Sequence, residues 1–314
     1  MIEINNLVKK YGDHVAVDNL SLKVEPGKIY GFLGPNGAGK STTMNIITGY
    51  LGATSGEVKI NGFDIFTQPE EAKKCVGYLP EIPPLYIDMT VVEYLDFVAE
   101  LKKLDKKNRK NYVKEAMDTT GITEVSGRMI RNLSKGYKQR VGLAQAILGY
   151  PEVIILDEPT VGLDPMQIIE IRNLIKKLGE NHTVILSSHI LTEISAVCDH
   201  VFIISKGKLV ASDSTEMLLS EMSGKQEISL TIKGDAEAVA NSVKDIENVT
   251  NVNICDASEE GTSLLIVTAK KKSDVREHVF EKVISCNAVI LEMKTVSKSL
   301  EDVFLELTDE GEQK

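Results

Sequence analysis

The sequence has no run of about 18 apolar residues, the length that a helix needs to cross a bilayer. It also has no paired cysteines, because Cys75, Cys198, Cys255 and Cys286 lie far apart and none forms a C-x-x-C motif. This pattern predicts reduced thiols in a cytosolic protein and disfavours a disulfide framework. Residues 1–4 lack the character of a secretory signal peptide, so we expect none.

The sequence also has no excess of basic residues over acidic ones. The formal net charge is −10, and residues 225–314 hold 11 Lys and Arg against 18 Asp and Glu. Proteins that bind the phosphate backbone of nucleic acids need the opposite balance, so we expect no nucleic-acid partner. The length of 314 residues suits two domains of ordinary size.

A phosphate-binding loop is the first motif with chemical content. It fits the pattern G-x-x-x-x-G-K-[ST], follows an apolar stretch at 28–33 that predicts a buried strand, and precedes a predicted helix at 42–50. Such loops turn their N–H groups inward, and the helix start adds a positive dipole, so polyanions bind there. We expect Lys40 to reach the β- and γ-phosphates of a nucleoside triphosphate and Ser41 to bind Mg²⁺. The residues of this loop are Gly34, Pro35, Asn36, Gly37, Ala38, Gly39, Lys40, Ser41 and Thr42.

Two adjacent carboxylates follow a second apolar strand. Asp157 and Glu158 come directly after the apolar residues 153–156. The carboxyl ends of strands are where open parallel sheets place their ligands. Asp157 is therefore suited to hold Mg²⁺ through water, and Glu158 to polarise a water that attacks the γ-phosphate.

The order of strands and helices divides the chain in two. In residues 1–224, strands alternate with helices around a helical stretch at about 85–150, which predicts an α/β domain with a largely parallel sheet. The lysine-rich stretch 102–110 is predicted to be solvated. Residues 225–314 follow a β-α-β-β-α-β order, which predicts a small ferredoxin-like α+β domain. A final helix with one apolar face is predicted at 299–307.

Three segments in a fixed order resemble the ATP-binding cassette (ABC) family: the phosphate loop, Leu133-Ser134-Lys135-Gly136-Tyr137, and the strand that ends in the two carboxylates. The resemblance implies a P-loop NTPase fold with a helical subdomain, and ATP and Mg²⁺ as ligands. It also implies that Ser134 and Gly136 bind ATP held by a second subunit, and that Asp164 belongs to the loop that contacts this subunit. His189 corresponds to the switch histidine at the γ-phosphate. Tyr11 lies where the family stacks an aromatic ring on adenine.

The sequence departs from the family pattern at three places. Lys135 and Tyr137 replace Gly and Gln of the usual Leu-Ser-Gly-Gly-Gln, and Glu81 stands where the family has a Gln near the metal. An ionised glutamate cannot donate a hydrogen bond and adds negative charge beside the metal. With these features the sequence resembles a subgroup of exporter ATPases related to multidrug, gliding-motility and copper-associated systems.

The resemblance therefore implies an ATPase subunit of an ABC transporter that works as a homodimer or heterodimer on the cytoplasmic face of the membrane. Glu158 and His189 are the expected catalytic residues, and a separate membrane-spanning permease is the expected partner. The alternative is a non-transport ABC ATPase that acts on nucleic acid or ribosomes. A third reading, a nucleotide-binding regulator without turnover, is disfavoured by the intact pair of carboxylates.

Overall fold

A computed structural model of the chain describes residues 1–215, 217, 225–256, 261–270 and 273–296. Tertiary contacts divide these residues into two units, of which the first ends at Thr215 and the second includes 225–296. The predicted boundary at 224/225 and the predicted helix 299–307 lie outside the described residues, in whole or in part. All four cysteines are free, as their spacing predicted.

A four-stranded antiparallel sheet begins the first unit, with strand order β2-β1-β4-β5. Its strands are β1 (Ile2–Tyr11), β2 (His14–Val24), β4 (Ser55–Ile60) and β5 (Phe63–Asp64). The apolar stretches 15–17 and 20–24 of the sequence predict two separate strands, but one continuous strand β2 forms there. It stays continuous because shifts of register in its pairing with β1 accommodate the irregular residues. Asn61-Gly62 is a sequence that predicts a tight hairpin turn, and it joins β4 to β5.

A six-stranded sheet with the order β10-β9-β3-β8-β7-β6 forms the centre of the first unit. All its neighbours pair in parallel except the edge strand β10, which is antiparallel to β9. The strands are β3 (Ile29–Leu33), β6 (Val76–Leu79), β7 (Val153–Asp157), β8 (Thr183–Ser188), β9 (His200–Ser205) and β10 (Lys208–Ser214). Every residue of β3, β7 and β8 is buried, and the centre of each strand is accordingly apolar on both faces.

Helices connect the parallel strands and form a separate group in the region 85–150. The connecting helices are α1 (Lys40–Ile47), α2 (Pro69–Lys74), α6 (Pro165–Gly179) and α7 (Leu191–Val197). The group consists of α3 (Val91–Leu101), α4 (Arg109–Thr120), α5 (Lys135–Ile147) and two short 3-10 helices, Thr123–Val125 and Ile130–Asn132.

The lysine-rich stretch 102–110 is largely exposed, as predicted, but the ammonium of Lys102 is bonded to the main chain. Its ammonium donates to the main-chain carbonyls of Gln145, Ala146 and Leu148 at 2.9, 3.3 and 2.8 Å. Burial of this group lowers the pKa of Lys102 to about 8. The last carbonyls of an α-helix have no partner within it, so Lys102 closes the end of α5.

The second unit is a four-stranded antiparallel sheet with the order β12-β13-β11-β14 and two helices. Its elements are β11 (Lys225–Lys233), α8 (Ala236–Lys244), β12 (Val249–Asp256), β13 (Ser263–Lys270), α9 (Arg276–Ser285) and β14 (Val289–Val296). This is the ferredoxin-like order that the sequence predicted. Its core packs apolar residues of both helices, such as Val239 and Val279, against sheet residues such as Leu230 and Leu265.

Candidate functional site

The phosphate loop leaves the carboxyl end of β3 and leads into α1, with Gly39 as the helix N-cap. Gly39 has a φ of 100°, and a Cβ there would lie 2.4 Å from the carbonyl oxygen of Ala16. Glycine is therefore required at this position for its conformation and for space. The loop thus brings the first turn of α1, whose N–H groups have no partner within the helix, to the end of the parallel sheet.

Lys40 is buried below this loop. Its Nζ donates to the carbonyl oxygens of Gly34 at 2.8 Å and Pro35 at 3.3 Å, and it lies 3.7 Å from Oε1 of Glu158. Burial lowers the pKa of Lys40, while the negative charges of Glu158 and Asp157 oppose that shift. The ammonium is thus held at the base of the loop, next to the carboxylates that end β7.

Asp157 connects the loop to two strands. Its Oδ1 accepts hydrogen bonds from Oγ of Ser41 at 3.2 Å and from Oγ of Ser187 at 2.5 Å. Ser187 lies opposite Asp157 in the parallel pairing of β7 with β8, and its Oγ also accepts from the N–H of Glu158 at 2.9 Å. Ser187 therefore fixes both carboxylate-bearing residues at the end of the sheet.

Glu158 and His189 face each other across the ends of β7 and β8. Nδ1 of His189 lies 3.1 and 3.0 Å from the two carboxylate oxygens of Glu158. Glu158 is 7% exposed and has a φ of 47°, in the left-handed region that a non-glycine residue seldom adopts. Such strained residues concentrate at functional sites. The side chain of His189 is 41% exposed, so the pair joins a buried carboxylate to the open side of a cleft.

These residues share one cleft of about 470 Å³. Of the predicted site residues, it is lined by Tyr11, Asn36, Gly37, Gly39, Lys40, Ser41, Thr42, Glu81, Glu158 and His189. Asp157 lies directly behind it, bonded to Ser41. Gly34, Pro35 and Ala38 are not among the lining residues; the first two supply the carbonyls that hold Lys40, and Ala38 is buried.

Three predicted residues lie on other surfaces of the first unit and do not line this cleft. Ser134 is the N-cap of α5, where its Oγ accepts from the N–H of Tyr137 at 3.3 Å, and it lines a separate depression together with Gly136. Asp164 is the N-cap of α6, where its Oδ1 accepts from the N–H of Gln167 at 2.9 Å. Within one chain, therefore, the second motif and the phosphate loop are separate.

Several residues of this region have no place in the sequence-based site. His14, Ala16 and Val161 line the cleft, and Ser187 bonds both carboxylate residues. A serine that ends a strand was the available signal for Ser187, but its partner depends on which strands are neighbours. No helix among the residues from 1 to 296 that the structure describes is long and apolar enough to traverse a lipid bilayer.

Comparisons with known proteins all find relatives of one kind. A family model described as ABC transporter matches residues 17–161. The ABC transporter ATP-binding protein YhcH of Bacillus subtilis is 33% identical over 315 residues, covering 100% of this chain and 97% of that protein. The linearmycin resistance ATP-binding protein LnrL of Bacillus subtilis is 31% identical, with 98% of each chain covered. The bacitracin transport ATP-binding protein BcrA of Bacillus licheniformis is 42% identical over 67% of this chain and 68% of its own.

Solved structures agree with the fold. An ATP-binding subunit of an ABC transporter matches with a TM-score of 0.64 and 27% identity, over 71% of this chain and 93% of that one. A dimeric structure of the bacterial ABC transporter cassette MJ0796 matches with a TM-score of 0.62 and 25% identity, over 68% and 98%. Both cover about two thirds of this chain and nearly all of their own.

Proposed function

The chain belongs to the ABC transporter family of ATP-binding proteins, and we propose that it forms half of a pair that closes around two ATP molecules to drive a separate membrane-spanning permease. Membership makes the chain an ATPase that binds and hydrolyses ATP. ATP-binding subunits of ABC transporters dimerise and work with membrane permeases.

The proposal rests on five residues that converge at one end of the parallel sheet: Lys40, Ser41, Asp157, Glu158 and His189. Lys40 and the N–H groups of residues 34–42 would hold the β- and γ-phosphates. The ring of Tyr11, which is 49% exposed at the mouth of the cleft, would stack on adenine.

Glu158 is the proposed base for hydrolysis. Its carboxylate would take a proton from the water that attacks the γ-phosphorus, while the bond from that phosphorus to the bridging oxygen of ADP breaks. His189, at 3.0 Å from this carboxylate, would orient it and contact the γ-phosphate. Positioning of this kind accounts for most of the catalysis of phosphoryl transfer.

Mg²⁺ fits the oxygens that the site offers. Ser41 Oγ and Asp157 Oδ1 lie 3.2 Å apart, and Glu81 lies along the same cleft. Within the described ranges, no group of three His, Cys, Asp or Glu could hold a metal ion. This suits Mg²⁺, which keeps several waters and binds through one or two carboxylates and the substrate phosphates. Bound there, the ion would neutralise phosphate charge.

The separate position of Ser134, Gly136 and Asp164 supports a site shared by two subunits. Ser134 begins α5, where unpaired N–H groups favour an anion. We propose that these residues close on the γ-phosphate of ATP bound to the opposite subunit. A pair held by two such contacts would close when ATP binds and open after hydrolysis, which gives the permease its motion.

The relatives suggest the setting. LnrL, similar along 98% of both chains, is named for linearmycin resistance, and BcrA for bacitracin transport. We therefore propose an exporter whose ATPase pair works on the cytoplasmic face of the membrane. The acidic balance of residues 225–314 disfavours nucleic acid as a partner.

Sedimentation of the Glu158→Gln chain with ATP tests the shared site, because this variant should retain ATP in a closed pair. Adding Ser134→Ala should leave ATP binding to the single subunit within about threefold, yet weaken ATP-dependent pairing at least about tenfold, the effect of about one charge-assisted hydrogen bond. Thr90→Ala is the matched control, since Thr90 is the N-cap of α3 in the same way. Equal pairing by both variants would refute a role for Ser134 in the opposite site.

A further inference from the structure

Glu193 is a buried carboxylate that the proposed reaction does not use. It lies in the first turn of the short helix α7 and is only 5% exposed. It does not line the cleft. Burying a carboxylate is unfavourable unless hydrogen bonds compensate it, so its bonding partners indicate what it does.

The two side-chain hydrogen bonds of Glu193 join the two segments that carry Glu158 and His189. Its Oε2 accepts from Oγ1 of Thr160 at 2.6 Å and from Oγ of Ser188 at 3.1 Å. Thr160 follows Glu158 by two residues, and Ser188 directly precedes His189. One carboxylate oxygen therefore ties the loop after β7 to the last residue of β8, next to His189.

Further hydrogen bonds brace both segments. Ser188 Oγ accepts from the N–H of Ile190 at 3.0 Å, which forms a tight turn around His189. The loop after β7 is turned on itself by the N–H of Val161, bonded to the carbonyl of Glu158, and the N–H of Leu163, bonded to that of Thr160. Because each segment is braced in this way, a bond between them also helps to fix the separation of Glu158 and His189.

We propose that Glu193 is a positioning residue for ATP hydrolysis, which holds Glu158 and His189 in register through Thr160 and Ser188. The inference rests on the proposed roles of Glu158 and His189. Glu193 has no contact with ATP in this proposal. Its loss should therefore lower the rate of hydrolysis and leave the affinity for ATP largely unchanged.

The test compares Glu193→Ala with Glu193→Gln in the full-length chain. The amide oxygen of glutamine can accept the same two hydroxyl hydrogens, so E193Q should keep kcat within about threefold. E193A should lower kcat by about 10- to 100-fold, because small misplacement of catalytic groups has effects of this size. The KM for ATP should change by less than about threefold, since uniform binding is unaffected.

Two measurements separate positioning from general damage. Calorimetric titration gives the number of ATP-binding sites, so that kcat is expressed per competent site and partial unfolding is removed. Thr160→Val keeps the volume of the side chain and removes one donor, so it should fold and lower kcat by about 3- to 10-fold. If E193A fails to fold, T160V and S188A provide the same test.

Asp118→Ala is the matched control. It removes another bond between a threonine and a carboxylate, that from Oγ1 of Thr123 to Oδ1 of Asp118 at 2.6 Å, and should leave kcat unchanged. Parent kcat per site in E193A and T160V would overturn the inference, as would an E193Q loss equal to that of E193A. If Glu158→Gln itself hydrolyses ATP at the parent rate, the proposed site fails instead.

Discussion

The two units of the chain differ in what they bury. The first unit buries Lys40, Asp157, Glu158 and Glu193 near the ends of β7 and β8. In the described part of the second unit, Thr268 is the one polar residue that is buried, and the rest of the buried set is apolar. Buried charges are unfavourable unless they are paired, so the first unit maintains an arrangement that folding alone does not require.

This difference assigns the chemistry to the first unit and a different task to the second. The second unit has an ordinary apolar core formed by its sheet and two helices, and its sequence carries no phosphate-binding loop. We expect it to steady the pair of subunits or to dock the membrane partner.

Glu158→Gln should have the largest effect on hydrolysis. Glutamine keeps a hydrogen-bonding side chain opposite His189 but cannot accept a proton, so kcat should fall by about 10²- to 10⁴-fold. ATP binding should remain, and calorimetry beside a phosphate-release assay measures both. Glu25→Gln, at an exposed carboxylate paired with Lys28, is the control and should match the parent. A Glu158→Gln chain that turns over normally would remove the base from the proposed reaction.

Lys40→Ala should act first on affinity. The substitution removes a buried cation from the base of the phosphate loop. Because the charge-assisted hydrogen bonds from this cation to two phosphates are lost, the ATP affinity should fall about 100-fold. The fold should persist, because the partners of Lys40 are loop carbonyls and Glu158. Lys28→Ala is the exposed control. An unchanged dissociation constant by calorimetry would contradict the assignment.

Glu81→Gln should have a small effect. Glu81 is an exposed residue at the edge of the cleft, and an amide oxygen can still bind Mg²⁺ or its waters. We expect kcat of the isolated chain to change by less than about threefold, the scale of an exposed hydrogen bond. Glu81→Ala, which removes the oxygen, should reduce kcat further. A loss as deep as that of Glu158→Gln would show that the roles of the two carboxylates are reversed.

The parts of the site that are contiguous in sequence could be predicted, and the parts that depend on strand neighbours could not. The phosphate loop and Asp157-Glu158 each lie on one stretch of chain, so the motif and the apolar strand before it were sufficient. Ser187 acts on Asp157 because β8 lies beside β7, and no local pattern contains that pairing. The bond from Thr160 to Glu193 has the same long-range origin.

Charged side chains were the least predictable part of the fold. The alternation of strands and helices predicted both the largely parallel sheet and the ferredoxin-like order, because apolar periodicity reports burial directly. Lys102 belongs to a lysine-rich stretch that reads as solvated, yet its ammonium caps α5. Lysine can place its stem and its charge in different surroundings, so composition alone does not locate the charge.

Leu265→Ala should leave hydrolysis unchanged while it destabilises the second unit. Leu265 lies on β13, is fully buried, and belongs to the core of that unit. Truncating a buried leucine to alanine costs about 2–5 kcal/mol, because it removes apolar contact and leaves a cavity. We expect thermal unfolding of the full-length chain to gain an earlier transition, with kcat and the ATP affinity of the single subunit equal to those of the parent. Ile266→Ala is the control on the same strand, since Ile266 points to the opposite face of the sheet and is only half-buried, and it should destabilise less. The contrary outcome is a fall of kcat per ATP-binding site in Leu265→Ala that is absent from Ile266→Ala. It would mean that the core of the second unit supports catalysis, so that the chemistry could not be assigned to the first unit alone.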